Sequence, residues 1–471
     1  MDDYFFNSKE FKNNLSLYEH SLKEGKVCIL SSDELIDIAE YYNTSGMFEE
    51  AMEAAKYASK LYPEASMPLI FMARMNICIY KDANNARKQL QRVYDIEYVD
   101  YYTTYAESFL FEDNLNEALK WLTKGTTTFV GEDLQDLYID AAFLLIDYKQ
   151  IDEAKKWANK ISDKLSDDFI KLTARFCMED RNFKEAIRIL ENMIDKDPFS
   201  YDYWLMLANV QLSNEMYSDA LSSCEYAIAI NPKINEAYLY QGNAFLKLCN
   251  YEKALEAYRI YTDGYNSDMG YMLQGRCMFY MQKNDEAIML LKKAERLCPN
   301  DKNRITDIYK DLAIVYSWNG EYDKANSYIN KIKDIGCVDS ELYIIEGGLL
   351  LTMNKFEEAT RTFLCGYSIA DSQQTYILQI AISYYEHRYD SAAYKMLKEL
   401  QQINPKNVQG IAYLTACCFY LGKIDEFIEN LEIAIQKRPD EARIMLADIF
   451  PKELEIYDYL KYAKDRFKEN E

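Results

Sequence analysis

Histidine, the side chain best suited to proton transfer at neutral pH, occurs only twice in the chain, at His20 and His387. So few exclude zinc sites built from Cys and His, His-Glu-x-x-His metalloprotease helices and a Ser-His-Asp triad. No Walker A or Gly-x-Gly-x-x-Gly loop occurs. Gly347-Gly348 runs directly into Leu349-Leu350-Leu351, which reads as helix interior. Paired carboxylates such as Glu49-Glu50 and Glu357-Glu358 have the residue type of glycosidase acid/base pairs. They recur, however, at one phase of a repeat, where the first turn of a helix attracts acids. The eleven cysteines are odd in number and irregular in spacing. Cys177, Cys224, Cys277 and Cys418 fall on predicted helix interiors, where a reduced thiol serves as a small apolar group. No catalytic residue, cofactor site or metal site is assigned, and the chain is not expected to be an enzyme.

The elements that would position any site follow from composition and period. Among 471 residues, 54 Lys and Arg face 77 Asp and Glu, a net charge of −23. Such a chain is a poor electrostatic match for phosphate backbones, so no nucleic acid partner is expected. The apolar share of 49% is ample for a buried core, and 15 Gly with 8 Pro are too few for a turn-rich all-β chain. The opening Met1-Asp2-Asp3 lacks the basic start of a signal peptide. No apolar run approaches the ~18 residues of a membrane span; Ala141 to Ile146 is among the longest. A cytoplasmic location and no membrane contact are expected.

One short string keeps returning: an aromatic or aliphatic residue, two polar residues, then Ala. It reads Phe48-Glu-Glu-Ala51, Leu115-Asn-Glu-Ala118, Ile151-Asp-Glu-Ala154, Phe183-Lys-Glu-Ala186, Tyr217-Ser-Asp-Ala220 and Tyr251-Glu-Lys-Ala254. It continues, with Asn284 in the lead position once, through Ala287, Ala325, Ala359 and Ala392, and weaker copies centre on Ala86 and Phe427. These twelve anchors span 376 residues in eleven steps, a mean of 34.2. Each unit reads as two helices, A then B, with apolar residues of A at positions 4, 7, 8 and 11. Small residues at position 8 (Ala106, Ala142, Ala208, Gly242, Gly275, Ala313, Gly347) and at the anchor let the two helix axes approach closely. Gly46, Asn114, Asn182, Asn250, Asn319-Gly320, Asn354 and Gly422 are expected to supply left-handed turn positions between A and B.

A 34-residue step is the period of the tetratricopeptide repeat (TPR), with its W-x2-L-G-x2-Y, A-x3-F and P positions. Trp204-x2-Leu207-Ala208, Ala220-x3-Cys224 and Pro232 resemble it, as do Tyr238-x2-Gln241-Gly242-x2-Phe245 with Ala254-x3-Tyr258. So do Tyr271-x2-Gln274-Gly275, Ala287-x3-Leu291 and Pro299, while Pro63, Pro198, Pro405 and Pro439 close other copies. The resemblance implies an all-α, right-handed superhelical solenoid of about twelve repeats over residues 32–441. Residues 1–31 would form an N-terminal capping helix, with amphipathic helix over 2–24 and a Ser31-x-x-Glu34 capping box opening repeat one. Residues 442–471 would form C-terminal capping helices, and a polar elbow at 299–305 is a candidate bend.

The resemblance also implies that positions 2, 5, 9 and 13 of helix A line a concave groove. In repeats one to four these are acidic, and with the helix-start residues Asp33, Asp100 and Asp136 set aside they leave Glu40, Glu107 and Asp147. That is either a groove for a basic segment or a solvated face. Repeats five to eight reverse the sign, with Lys171, Arg175, Asn209, Asn243, Lys247 and Arg276. Asn offers a donor and an acceptor to a peptide backbone, and Arg a fork for a carboxylate. The alternative is that Asp168, Glu179, Asp202 and Glu236 simply neutralise these cations. The family's carboxylate clamp wants Asn where Arg175 and Met206 stand, so the resemblance stops short of it. Position 13 of later repeats carries Tyr280, Trp318, Tyr385 and Tyr420, which either grip a ligand or pack beneath the turn. The expected function is a scaffold or adaptor that binds a protein or extended peptide of unknown identity, in an unknown oligomeric state. A peptide-sensing regulatory receptor, or the regulatory subunit of an enzyme on another chain, is the alternative.

Overall fold

The computed structural model describes residues 3–6, 8–264, 267–298, 301–404 and 408–467. Those residues form helices joined by short turns, with no strand among them. Twelve antiparallel helix hairpins follow one another, from Ser32–Thr44 with Phe48–Leu61 to Ile411–Tyr420 with Ile424–Lys437. The chain divides into two compact units, one of Met1–Ala244 with Arg259–Asn266 and one of Phe245–Tyr258 with Ser267–Glu471. In the first, an apolar core runs from Phe6 to Leu172, and a further cluster runs from Ala174 to Val210. In the second, one cluster spans Met272 to Leu349 and another Leu351 to Ala463.

The third hairpin shows why these residues fold this way. Helix Val99–Leu110 buries Tyr102, Tyr105 and Ala106, and helix Leu115–Gly125 buries Ala118, Leu122 and Gly125 at the i, i+4, i+7 spacing of one helical face. Asn114 caps the second helix by accepting from the Glu117 amide at 3.3 Å. Tyr105 stacks flat on Trp121, ring centroids 3.7 Å apart, which locks the two helices together. Burying Leu122 contributes about 1.5–3 kcal/mol. The anchor alanines at 51, 86, 118, 154, 186, 220, 254, 287, 325 and 359 are all 0% exposed, as the close crossing requires.

In the eleventh hairpin the anchor is not Ala392. Its second helix begins at Asp390, Ala393 is the residue at 0% exposure, and Ala392 is only half-buried. Tyr389 imitates the aromatic that opens other B helices but lies one residue before the helix. The turn residues also differ from expectation. Gly46, Gly320, Asn354 and Gly422 do adopt left-handed φ, but the other eight hairpins place there Lys81, Asp113, Lys149, Arg181, Glu215, Cys249, Gln282 and Arg388. Asn114, Asn182 and Asn319 have φ of −101°, −87° and −81°. The left-handed position stands five residues before the anchor in every hairpin. Hairpin closure holds it there: around Arg181, its own amide donates to Met178 O at 3.1 Å and that of Asn182 to Cys177 O at 2.7 Å.

The capping box forms as the sequence predicts: the Ser31 amide donates to Glu34 Oε2 at 2.7 Å and the Glu34 amide to Ser31 Oγ at 3.2 Å. Ahead of it lies not one helix but two, Asp3–Phe6 and Lys9–Glu24, because Ser8 caps the second through the Phe11 amide at 3.1 Å. Phe6 and Phe11 rest on Tyr41, 5.6 and 5.3 Å between centroids. After the last hairpin, Pro439–Met445 starts with proline in its first turn, and Tyr459–Phe467 packs Tyr459 on Phe450 at 4.0 Å. Ile456 is buried there, while Tyr457 is 75% exposed. The expected elbow at 299–305 includes residues 299 and 300, which with Pro405 lie outside the described residues. No helix among the described residues is long and apolar enough to cross a membrane.

Candidate functional site

The face of the A helices opposite the packing stripe carries the polar residues singled out above. In the first unit the cations there are neutralised by carboxylates of adjoining repeats and, for Lys171, of its own helix as well. Lys171 Nζ lies 2.9 Å from Asp202 and 3.9 Å from Asp168, and Arg175 Nη2 lies 2.7 Å from Asp147. Glu179 pairs instead with Lys149 at 2.9 Å, so it is not the counterion of Arg175. In the second unit Arg276 Nε reaches Asp311 at 2.7 Å. Burial, opposed by Arg276, pushes the Asp311 carboxyl up to about 6, still ionised at neutral pH. Lys247 is exposed and makes no ion pair among the described residues. The acidic reading of repeats one to four changes too, because Glu40 pairs with Arg74 and Asp147 with Arg175.

Glu107 is the centre of a small network between these pairs. Cys78 Sγ donates to its Oε1 at 3.6 Å and Tyr148 OH at 3.4 Å. Burial raises the Glu107 pKa, and burial together with Glu107 pushes the Cys78 thiol up to about 12, so the thiol stays protonated and donates. The same burial pushes Cys224 and Cys277 to about 12, and Cys418 to about 11, which makes them inert apolar fillers. Asp100, Asp136, Asp140 and Asp168 border one depression, and burial with the other three charges lifts Asp140 to about 6. No three-residue group of His, Cys, Asp or Glu among the described residues is disposed to hold a metal ion.

Besides that depression, one cavity in each unit opens on the A-helix faces of the described residues. The first, about 110 Å³, is lined by Ala174, Arg175, Met178, Leu205, Met206, Asn209, Val210 and Tyr240. The expected Arg175 and Asn209 thus come together, and Asn243 stands on the next A helix of the same unit. Asn209 is half-buried with no side-chain partner among the described residues. Tyr240 was not foreseen, because at position 6 of its helix it lies outside the 2, 5, 9, 13 set.

The second cavity, about 220 Å³, is walled by Ile314, Trp318, Ile344, Ile345, Leu349 and Ile382, with Glu341, Glu386 and His387 at its edge. Trp318 is 44% exposed and stacks on His387 at 5.0 Å. The other position-13 aromatics have packing partners. Tyr280 stacks on Tyr251 at 5.1 Å, Tyr385 meets Tyr413 edge-on at 5.5 Å, and Arg388 covers Tyr420 at 5.5 Å. They divide between the two expectations: Tyr385 packs, while Tyr280 keeps 52% exposure and Tyr420 38%.

Comparison with known proteins agrees with the hairpin geometry. Residues 178–233 and 217–268 match the tetratricopeptide repeat family model. A TPR repeat-containing protein of Methanocaldococcus jannaschii is 21% identical over 438 residues, covering 84% of this chain and 74% of that protein. Two solved structures are similar to the chain at 14% identity. A human IFIT1 dimer with m7Gppp-AAAA has a TM-score of 0.47, over 79% of this chain and 89% of that one. Yeast Tom70 has 0.41, over 93% and 96%. Neither aligns closely enough to carry a residue's role across. With twelve hairpins at a 34-residue step, the chain is a tetratricopeptide repeat protein, built on the type of fold that serves as a protein-interaction scaffold.

Proposed function

We propose that the chain is a scaffold or adaptor that holds an extended segment of a partner protein along the A-helix face, with no catalysis of its own. The observation that carries this reading is the first-unit cavity, in which the unpaired Asn209 amide stands beside Arg175 between apolar Met178, Met206 and Tyr240. An amide there can meet both the N–H and the C=O of a passing peptide, while the apolar walls accept one side chain. Arg175 is held by Asp147, so its part is to shape the cavity rim and not to wait as a free cation.

Affinity purification from the native cell, wild type against Asn209→Ala, tests it. The expected result is loss of a co-purifying protein with an unchanged circular dichroism spectrum. A partner set identical in both preparations overturns the assignment of the cavity. Purified protein that turns over a substrate unaided would overturn the non-catalytic reading.

A further inference from the structure

We infer that the cavity of the second unit receives a cationic side chain, an arginine of an extended segment, with Glu386 as its counterion. The inference rests on the scaffold reading for the ligand's being a peptide; its geometry lies wholly within the second unit. Three features converge on the cavity. Its wall is an aliphatic and indole surface (Ile314, Trp318, Ile344, Ile382) of about the size that the stem of one long side chain fills. Trp318 offers an exposed indole, the best aromatic platform for a guanidinium. Glu386 stands at the edge with no hydrogen bond or ion pair among the described residues.

Glu386 is also in the wrong place for its own helix. It is the last residue of Gln373–Glu386, where the carbonyl ends of the aligned peptide dipoles already make the helix terminus negative. An acid there gains nothing for folding, yet the same carbonyls would add to the attraction for a bound cation. Glu386 is exposed, yet enough protein lies around its carboxylate for desolvation to raise its pKa. Its charge helps to raise the pKa of the Tyr280 and Tyr413 phenols. The other edge groups do not compete. Glu341 already pairs with Lys310, and burial holds the His387 pKa below its ordinary value, leaving the ring neutral. His387 Nδ1 donates to the Ser383 carbonyl at 2.7 Å, and Nε2 lies 3.2 Å from Thr352 Oγ1; the ring is fixed as the backing of the Trp318 stack.

The test uses the full chain labelled with 5-fluorotryptophan, whose four indoles include Trp318, assigned through Trp318→Phe. The probes are the blocked peptide Gly-Leu-Arg-Leu-Gly and the same peptide with citrulline for arginine, which keeps the shape and removes the charge. The arginine peptide should shift the Trp318 fluorine resonance saturably, and the citrulline peptide should bind about tenfold more weakly or less. Glu386→Gln should lose that preference, whereas Glu432→Gln, an exposed acid on a B helix, should keep it. Equal response to both peptides, or an arginine preference that survives Glu386→Gln with unchanged circular dichroism, overturns the inference. No partner protein is involved, so a null titration leaves the scaffold reading standing. A failed purification experiment leaves the cation preference of this cavity equally intact.

Discussion

Gly347 and Gly348 are neighbours in one helix, and the structure assigns them opposite responses to the same substitution. A Cβ on Gly347 would lie 2.1, 2.6 and 2.7 Å from three ring atoms of Phe363, against an ordinary contact of about 3.5–4.0 Å. The ring would have to retreat by more than an ångström. Phe363 is 2% exposed and lies edge-on to Tyr384 at 5.4 Å, so it has nowhere to go. Overpacking of this kind costs about 1–3 kcal/mol. The gain in helix propensity from Gly to Ala returns about 0.5–1 kcal/mol, so Gly347→Ala should be destabilised by about 1–2 kcal/mol net. At Gly348 the nearest atoms are Ser383 Oγ at 3.6 Å and His387 Cε1 at 3.7 Å, ordinary contacts, so only the propensity gain remains. Gly348→Ala should therefore stabilise by about 0.5–1 kcal/mol. Urea unfolding of the two variants at constant m-value checks the signs. The double variant Gly347→Ala/Phe363→Leu should cost less than the sum of its parts by about 1 kcal/mol, since it restores room at the crossing. A stabilised Gly347→Ala, or strict additivity in the double variant, refutes the close-crossing argument.

Other outcomes follow from the same reasoning. Arg181, exposed at φ 57°, should be improved by Arg181→Gly by about 0.5–1 kcal/mol, because left-handed strain of about 1–2 kcal/mol exceeds the entropy that Gly forfeits; an unchanged unfolding midpoint would contradict this. Ser31→Ala removes one half of the capping box and should cost about 1 kcal/mol, seen as faster amide exchange at the start of helix Ser32–Thr44. Asp140 has a folded-state pKa of about 6, above the ~3.9 of the unfolded chain, so the folded form binds the extra proton. The stability it contributes is present below pH ~4 and lost as pH rises through about 6. Asp140→Asn should flatten that fall and melt higher than wild type at pH 7; a parallel pH profile of melting temperature would rule the assignment out.

Much of the architecture could be read from the chain because each hairpin meets the same steric problem. The anchor alanines other than Ala392, the acids in the first turn of eleven of the twelve B helices and the Ser31–Glu34 box stand where the period puts them. Two local features were not legible. Left-handed turn positions were sought at Gly and Asn, but closure of the hairpin imposes that conformation on Arg181 or Gln282 against their own preference. Ala393 was passed over because Tyr389 copies the lead aromatic of other repeats. The candidate sites were legible only in part. The partners of Arg175 and Arg276 are Asp147 and Asp311, 28 and 35 residues away on other helices, and a single-helix wheel does not pair them. Glu386 stands at position 14 of its helix, just beyond the set that was read. Its one visible signal was an acid in a last turn, contrary to the helix dipole.

The pairing of small with large at the helix crossings sets a rule for exchange of parts. Where helix A offers Gly, as at 275 and 347, helix B answers with a bulky residue, Leu291 or Phe363, in van der Waals register. Where A offers Ala208, B offers Cys224, also wholly enclosed. Recombination that cuts inside an A–B turn would therefore join mismatched halves, whereas cuts in the link between hairpins would move each matched couple whole. A library of chimaeras built on the second kind of junction should yield more folded members than one built on the first.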